Sequence, residues 1–448
     1  MTDAARRRSL LLFLAGLVFL GVRLAILYAR APFFDELFTV WMARQPFRSI
    51  APGLLHDSGP PLYYFIARFD SVVALRLLSL LFASIQFVLI ARRSLLAGAL
   101  IALYPPAALF AVDARSYALC ALFVTIGVLQ LETRPFAAAL AFALAAHTHY
   151  YGVLFFPVLL FSGGGQAPSP VQTGEGACPP PLRTRVAALA LAVVLFLPGF
   201  FLASKQPRDA TKWIHETVFA PLMNISFAGL YPDALFAPPP VALVVFALVV
   251  LVIALSRSTR FAAAVIVPLA LVIAFHLAGR PVYFPMRFES VIAGPLVLLL
   301  GESLCAWALP WRRLLAGTLL VIGAISIAIG VDSHRRRAPD PYREAALMLR
   351  RHVQPDERVV ATGYLYLEAA VALNRPVLAW PPEQADHPGW RAVARPDVHA
   401  LPPGPFIWIG ESAGQELSLL QGVRPVQPLF SNDRATIARV GGLTPRLN

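Results

Sequence analysis

Charged residues are scarce in this sequence. They make up 14% of the 448 residues, whereas 58% of the residues are hydrophobic and the mean hydropathy is +0.65. Soluble domains carry about a quarter charged residues, and no soluble core could bury so much apolar surface. The composition therefore excludes a soluble enzyme and predicts a protein with several membrane spans.

Cysteine is also scarce, and the sequence has no recognisable phosphate-binding loop. Two of the three cysteines, Cys120 and Cys305, lie in apolar runs, and Cys178 lies in a loop rich in proline and glycine, so no disulfide framework or metal-ligand spacing is apparent. The glycines at 163–165 lack the Lys-Ser/Thr ending of a nucleotide-binding P-loop. The net charge of +13 is spread in short clusters between apolar runs, which argues against a nucleic-acid partner.

What the sequence does have is a series of apolar runs. A helical span needs about 20 largely apolar residues, and shorter spans occur inside bundles. On this basis we predict about eleven transmembrane helices, at 9–28, 71–91, 94–111, 117–131, 136–149, 150–162, 186–203, 239–256, 261–279, 289–307 and 314–331. The segment from Ser162 to Pro181 is predicted to be a flexible loop between two of them.

The charges between the runs predict an orientation. Arg6, Arg7 and Arg8 precede the first run, and Ala29-Arg30-Ala31 resembles a signal cleavage site. A retained anchor is the simpler interpretation, because the run has nearly full spanning length and ten more follow. With a cytoplasmic N-terminus, the inner loops hold twelve arginines and three acids, against eleven basic and nine acidic residues on the outer side up to residue 289. We therefore predict an integral membrane protein with its N-terminus in the cytoplasm.

The C-terminal quarter of the chain has a different character. Apolar runs at 358–361, 377–380 and 406–409 alternate with helix-like stretches at 341–352, 364–373 and 412–421. We predict two domains, a membrane domain at 1–331 and a small α/β domain at 332–448. With eleven spans the α/β domain lies on the outer, extracytoplasmic face.

Polar residues gather in the predicted outer loops. Asp35 and Glu36 follow the first span directly, and adjacent carboxylates at a membrane surface are costly unless they are used or solvated. Asp35 could instead cap the short helix that follows, since Asp is a favoured N-cap residue. Arg23, within the first span, must either reach the interface or face other helices.

The remaining outer-loop residues have ordinary interpretations when each is taken alone. His56 and Tyr63 could anchor the interface, Asp113 and Arg115 could pair with each other, and Arg287 could face lipid headgroups. His147 and His149 do not share a helix face, so a two-histidine metal site is weakly supported. Together, acids, cations, histidines and aromatic residues on one membrane face suit a substrate that carries a phosphate and a lipid tail.

In their order along the chain these motifs resemble a known family. The sequence is similar to the glycosyltransferases of the C superfamily (GT-C) that use lipid-phosphate sugars, in the branch of the protein O-mannosyltransferases and the aminoarabinose transferase of lipid A. An arginine-bearing first span precedes the motifs that carry the resemblance, which are Phe34-Asp35-Glu36, His56 with Pro60-Pro61-Leu62-Tyr63-Tyr64, Ala74-Leu75-Arg76-Leu77, Asp113-Ala114-Arg115-Ser116-Tyr117, His147-Thr148-His149-Tyr150-Tyr151-Gly152, and Arg287-Phe288 before Pro295.

The resemblance implies an inverting sugar transfer from a polyprenyl-phosphate donor at the outer membrane face. It makes Asp35 the general base, Glu36 a residue that orients Asp35 or the acceptor, and Asp113 the second-loop acid, with Val112-Asp113 where relatives often carry Gln-Glu. Arg115, His149 and Arg287 would bind the donor phosphate. The other residues expected to bind substrate are His56, Tyr63, Tyr117, His147 and Tyr150.

Cofactor and acceptor follow less directly from the resemblance. A divalent metal held by Asp35 and Asp113 is an alternative, but hard cations usually need more oxygen ligands, so no obligatory metal is expected. The acceptor could be a protein, lipid A or another glycan. The main rival function is a transporter or lipid flippase, which would place ionisable groups near the bilayer midplane on broken helices. A scaffold whose outer domain binds a partner is a third hypothesis.

Overall fold

A computed structural model describes residues 3–57, 59–161, 180–206, 225, 227, 247–253, 256, 258–280, 282–336, 341–363, 365–375, 377–382, 397–412 and 415–441. These residues form two compact units. The first comprises 1–30, 58–67 and 73–336, and the second comprises 31–57, 68–72 and 337–448. The segment that carries Asp35 thus groups with the C-terminal residues, which the predicted boundary near residue 331 did not anticipate.

The helices and strands follow each other as α1 (Asp3–Ala29), α2 (Phe34–Arg44), α3 (Phe47–Gly53), a 3₁₀ turn (Leu54–His56), α4 (Leu62–Ile66), α5 (Val72–Arg93), α6 (Leu95–Ala102), α7 (Pro105–Phe110), α8 (Tyr117–Gln130), α9 (Pro135–Thr148), a 3₁₀ helix (Tyr150–Phe161), α10 (Leu182–Lys205), α11 (Thr259–Leu277), α12 (Arg287–Cys305), α13 (Leu309–Arg336), α14 (Pro341–His352), β1 (Val359–Ala361), α15 (Leu365–Leu373), β2 (Leu378–Ala379), a second 3₁₀ turn (Val398–Ala400), β3 (Phe406–Glu411), α16 (Gln415–Val423), β4 (Val426–Ser431) and β5 (Ala435–Val440).

The first unit is a helical membrane bundle. Within the described residues, six helices are long and apolar enough to cross a bilayer, namely α1, α5, α10, α11, α12 and α13. Their large exposed side chains are apolar, such as Phe13, Phe200 and Val321, as expected of surfaces that face lipid. The prediction of a polytopic helical membrane protein is confirmed. The predicted span at 239–256 lies largely outside the described residues.

Two predicted spans have a different form. The run at 94–111 is broken into α6 and α7, because neither Pro105 nor Pro106 has a backbone N–H to continue the helix. The run at 150–162 is a 3₁₀ helix, whose rise of about 2.0 Å per residue lets twelve residues reach about 24 Å. The predictions of an ordinary α-helical span at these two places are therefore wrong.

The break between α6 and α7 explains the arginine in the first span. In a continuous helix the carbonyls of Ile101 and Ala102 would accept from residues 105 and 106, which are both prolines. Arg23, fully buried, donates to these two carbonyls instead, at 3.0 and 2.8 Å. Arg23 therefore faces other helices, and its guanidinium N–H groups replace the two backbone donors that the prolines lack.

The centre of the bundle is built around α12, nearly all of whose residues are buried. Its neighbour α8 approaches closely at Gly294, where a Cβ would lie 2.1 Å from Thr125 Oγ1. Gln86 on α5 donates to Thr125 Oγ1 at 2.9 Å, so a hydrogen bond joins α5 to α8 inside the apolar core. These contacts pack α5, α8 and α12 against one another within the core.

The second unit contains a five-stranded sheet in the order β2-β1-β3-β5-β4. Strand β1 pairs in parallel with β2 and β3, while β5 pairs antiparallel with β3 and β4. The predicted small α/β domain is confirmed, with helices and strands close to their predicted ranges. The hairpin of β4 and β5 was not predicted. Its turn is stabilised by Asn432, whose Oδ1 accepts the N–H groups of Arg434 and Ala435.

Helix α2 belongs to this second unit and packs against α15. Its C-terminal end is capped by Arg68, which donates to the carbonyls of Met42 at 3.2 Å and Gln45 at 2.5 Å. At its other end, Glu36 Oε2 accepts the N–H of Phe33 at 3.3 Å. The helix that carries the two predicted outer-loop acids is thus fixed at both ends.

Candidate functional site

The loop between α7 and α8 carries two charged side chains, Asp113 and Arg115. Asp113 is fully buried and forms an ion pair with Arg30, the residue after α1. Arg115 Nη1 donates to the Tyr64 hydroxyl at 2.9 Å. The Asp113 side chain thus contacts the end of α1, and the Arg115 side chain contacts α4.

His149 lies between α9 and the 3₁₀ helix, with its ring between two tyrosines. The ring centroids of Tyr117 and Tyr151 are 5.1 and 4.5 Å away. His149 Nδ1 accepts the backbone N–H of Tyr151 at 3.2 Å, which assigns the proton of the neutral ring to Nε2. Burial, together with the positive charges of Arg115 and Arg287, lowers the pKa of His149 to about 3. At neutral pH this residue is an uncharged hydrogen-bond donor.

Arg287 begins α12 after an unusual backbone conformation. Met286 has φ +66°, in the left-handed region that costs a non-glycine residue about 1–2 kcal/mol. The guanidinium carbon of Arg287 lies 4.0 Å from the Phe284 ring centroid and 5.6 Å from that of Tyr117. The strained residue thus directly precedes a cation that stacks on two aromatic rings, and such strain concentrates at functional sites.

Several residues that support this cluster were not predicted. Tyr151 donates its hydroxyl to the Val282 carbonyl at 2.9 Å and accepts the Phe284 N–H at 3.1 Å. Tyr283 donates to Glu289 at 2.5 Å, and both side chains are fully buried. These bonds hold the segment before α12 against the start of the 3₁₀ helix. The sequence contained a signal for both tyrosines, since Tyr151 belongs to the motif of His147 and His149, and Tyr283 lies four residues before Arg287.

We call Arg115, Tyr117, His149, Tyr151 and Arg287 the arginine–histidine cluster. All five residues belong to the helical unit, and they lie where α8, the 3₁₀ helix and α12 begin. Two guanidinium groups and a neutral imidazole N–H, surrounded by aromatic rings, form a surface suited to an anion with several oxygen acceptors. A phosphate fits this description.

The other predicted substrate-binding residues lie elsewhere in the helical unit. His147 Nε2 hydrogen-bonds to the Leu195 carbonyl of α10 at 2.9 Å, and Tyr150 donates to Gln206 at 2.8 Å. Tyr63 hydrogen-bonds to Ser79 at 3.5 Å, and Ser79 in turn contacts the Arg115 carbonyl. Tyr63 thus supports the Arg115 loop, whereas His147 and Tyr150 hold α10. The His56 side chain lies outside the described residues.

Asp35 and Glu36 belong to the second unit, in the first turn of α2. Glu36 is fully buried and bonds to the Phe33 N–H, whereas Asp35 is 7% exposed and its carbonyl accepts the Thr39 hydroxyl. The N-cap position is occupied by Phe33. The capping role considered for Asp35 therefore falls to Glu36. Within the described part of the chain, no three His, Cys, Asp or Glu side chains come together as metal ligands would.

Comparison with known proteins gives a fold but no sequence relative. No protein family model matches the chain, and no curated protein matches its sequence. Among solved structures, ArnT from Cupriavidus metallidurans in the apo state matches with a TM-score of 0.58 at 13% identity, covering 98% of each chain. The chain has the ArnT fold over nearly its full length. ArnT bound to undecaprenyl phosphate matches with a TM-score of 0.56, again at 13% identity, covering 95% of this chain and 97% of that one.

Proposed function

We propose that the protein is a membrane glycosyltransferase that takes its sugar from a polyprenyl-phosphate donor. The observation that carries the proposal is the arginine–histidine cluster, where two cations and an N–H donor meet at one end of the helical bundle. The ArnT fold supports it, since one ArnT structure holds undecaprenyl phosphate. The ordered GT-C motifs of the sequence point to the same donor class.

The cluster suits the leaving group of such a transfer. When the bond between the sugar C1 and the phosphate oxygen breaks, the electron pair stays on the polyprenyl phosphate, whose negative charge increases. Arg115 and Arg287 would stabilise this charge, and His149 would donate a neutral hydrogen bond through Nε2. His149 acts in this proposal as a donor rather than as a cation, because its pKa of about 3 leaves it uncharged.

Asp35 is proposed as the general base, on the resemblance to GT-C enzymes. Its carboxylate would take the proton from the acceptor hydroxyl or amine as the acceptor attacks C1 from the opposite side, which inverts the configuration. Glu36, whose carboxylate holds the backbone at Phe33, would fix the first turn of α2. The acceptor, whether a protein, lipid A or another glycan, is left open by this proposal.

The test is sugar transfer by the protein in nanodiscs, with radiolabelled polyprenyl-phosphate sugars as donors and native membrane extract as acceptor. Asp35→Asn, nearly isosteric but unable to accept the proton, should lower turnover by about 10²–10⁴-fold and leave donor affinity unchanged. Asp70→Asn, at an exposed acid, is the matched control. Near-normal turnover in Asp35→Asn would refute the base assignment.

A transporter or flippase is the rival function. Arg23, a buried charge at a broken helix, is the described feature that comes closest to the transporter pattern, but its guanidinium is engaged with the carbonyls of Ile101 and Ala102. We therefore favour the enzyme. If no donor is consumed in the transfer assay, lipid flux in sealed vesicles becomes the decisive measurement.

We also propose a cytoplasmic N-terminus and an extracytoplasmic C-terminal domain in a bacterial inner membrane. The arginine-rich loops support this orientation. A phosphatase fused to the C-terminus, active only outside the cytoplasm, would test it. The reaction is further proposed to need no obligatory metal, so transfer should persist after treatment with a chelator.

A further inference from the structure

The buried ion pair of Arg30 and Asp113 has no role in the proposed reaction as described above. Asp113 is fully buried, and Arg30 is 7% exposed. A group so enclosed makes a poor contact for an acceptor substrate. The pair joins the end of α1 to the loop between α7 and α8, two residues before Arg115.

Arg30 is itself held firmly. Its N–H donates to the Ile26 carbonyl at 3.1 Å, and its own carbonyl accepts from Arg76 Nη1 at 2.8 Å. Arg76 is buried and also donates to the Leu27 carbonyl at 3.2 Å, which caps the C-terminal end of α1. The Arg30 guanidinium is thus presented from a fixed helix end rather than from a free loop.

The other end of the connection is the Arg115 loop. Breaking a buried ion pair leaves an uncompensated charge, so such a pair is expensive to separate and holds its loop in one position. Asp113 anchors the loop through its side chain, and Ser79 contacts the Arg115 carbonyl at 3.5 Å. From this loop Arg115 donates to the Tyr64 hydroxyl, and its positive charge acts on His149.

We propose that Arg30 and Asp113 are positioning residues for the donor-phosphate site, and that their ion pair sets the place of Arg115. This inference rests on the proposed function. It changes the role that the family resemblance gives to Asp113, because the carboxylate acts on the Arg115 loop rather than on the reacting atoms.

The experiment is a double-mutant cycle in the full-length protein in nanodiscs. Arg30→Gln, Asp113→Asn and the double variant are compared for binding of undecaprenyl phosphate and for donor KM and kcat. Each single change should weaken binding and raise KM about tenfold, with kcat altered much less, and the double variant should resemble the singles. Arg30→Lys, which keeps the charge, should recover part of the affinity. Arg93→Gln breaks an ion pair with Glu302 and is the matched control, with no effect on binding.

Two results would overturn the inference. If Asp113→Asn lowers kcat about a hundredfold in both Arg30 backgrounds while binding stays normal, Asp113 transfers a proton rather than positioning Arg115. If neither single variant changes undecaprenyl phosphate binding, the pair does not position the site. If the single variants Arg30→Gln and Asp113→Asn fail to fold, the same binding and kinetic measurements are made on Arg30→Lys and on the exchanged pair, Arg30→Asp with Asp113→Arg.

Failure of the proposed function is distinguishable from failure of the inference. In the first case the wild type consumes no donor, whatever the variants do. In the second case the wild type is active and binds the carrier, but the Arg30 and Asp113 variants do so equally well.

Discussion

The arginine–histidine cluster and the ionic network around Arg260 lie at opposite ends of α8 and α12 and are built from different contacts. At the beginning of both helices, Arg287 stacks on Tyr117 and Phe284, and Arg115 donates to the Tyr64 hydroxyl. At the other end, Arg260 pairs with Glu132 at 2.6 Å and with Glu302 at 3.8 Å, while Arg93 pairs with Glu302 at 3.2 Å. Arginines are present at both ends, but their partners differ.

The two ends also differ in their local electrostatic potential. In the Arg260 network, two arginines meet two glutamates, so the four charges balance, and the network joins the ends of α5, α8, α11 and α12. At the Arg287 end, the positive field of Arg115 and Arg287 contributes to lowering the pKa of His149. A positive site lined by aromatic rings attracts an anion, whereas a neutral ionic network holds helices together. Under the proposed function, the arginine–histidine cluster binds the donor phosphate and the Arg260 network stabilises the bundle.

The largest expected effect concerns a third use of arginine, in which the buried Arg23 of α1 donates to the backbone of α6. Arg23→Met leaves the carbonyls of Ile101 and Ala102 without donors, and each buried orphan costs about 1–3 kcal/mol. We expect a loss of roughly 2–4 kcal/mol in unfolding free energy, measured by denaturation in detergent. Adding Pro105→Ala and Pro106→Ala restores two N–H groups and should recover part of it. An unchanged stability in Arg23→Met would contradict the backbone role.

The second prediction concerns binding at the Arg287 end. Arg287→Ala removes one charge-assisted contact to the phosphate and should weaken donor binding about tenfold or more, as should Arg115→Ala. Arg287→Lys should recover part of the affinity, since it keeps the charge but loses the planar stacking. Arg260→Gln, at the opposite end, is the control. Equal losses of donor affinity in Arg287→Ala and Arg260→Gln would contradict the distinction between the two ends.

The third prediction concerns stability at the Arg260 end. Arg260→Gln breaks two ion pairs of a largely buried side chain and should cost about 1 kcal/mol, seen as a lower thermal midpoint. Donor KM should stay the same, since the change is at the far end of α8 and α12. A raised KM at normal stability would mean that the network shapes the site.

The sequence predicts the helical membrane fold well, because the length of each apolar run can be read directly along the chain. It also predicts helices α14, α15 and α16 and strands β1, β2 and β3 of the C-terminal unit. Apolar content alone does not predict the break before Pro105, although the adjacent Pro105 and Pro106 are a local signal for one. The pairing of Arg23 with the orphaned carbonyls needs two distant segments to meet, which no local pattern reports.

The candidate site is predicted in part. Arg115, Tyr117, His149 and Arg287 were selected from motifs, and the structure brings them together. His147 was selected by the same motif as His149, but one turns toward α10 and the other toward the cluster, because alternate residues at the end of α9 point in different directions. The partner of Asp113 could not be predicted, since Arg30 is 83 residues away.

The smallest expected effect tests how His149 takes part at the Arg287 end. Its pKa of about 3 lies below the ordinary 6.5, so the ring stays neutral between pH 8 and 5, and donor KM should show no inflection from this residue. His149→Gln can place an amide donor near the Nε2 position and should raise donor KM less than His149→Ala, which loses one neutral hydrogen bond, worth about threefold. His149→Asn, which reaches only the Nδ1 position, is the matched control. A donor KM that falls as pH drops through 6.5, and loses this dependence in His149→Gln, would show a charged imidazole at the site and would make the histidine a third cation.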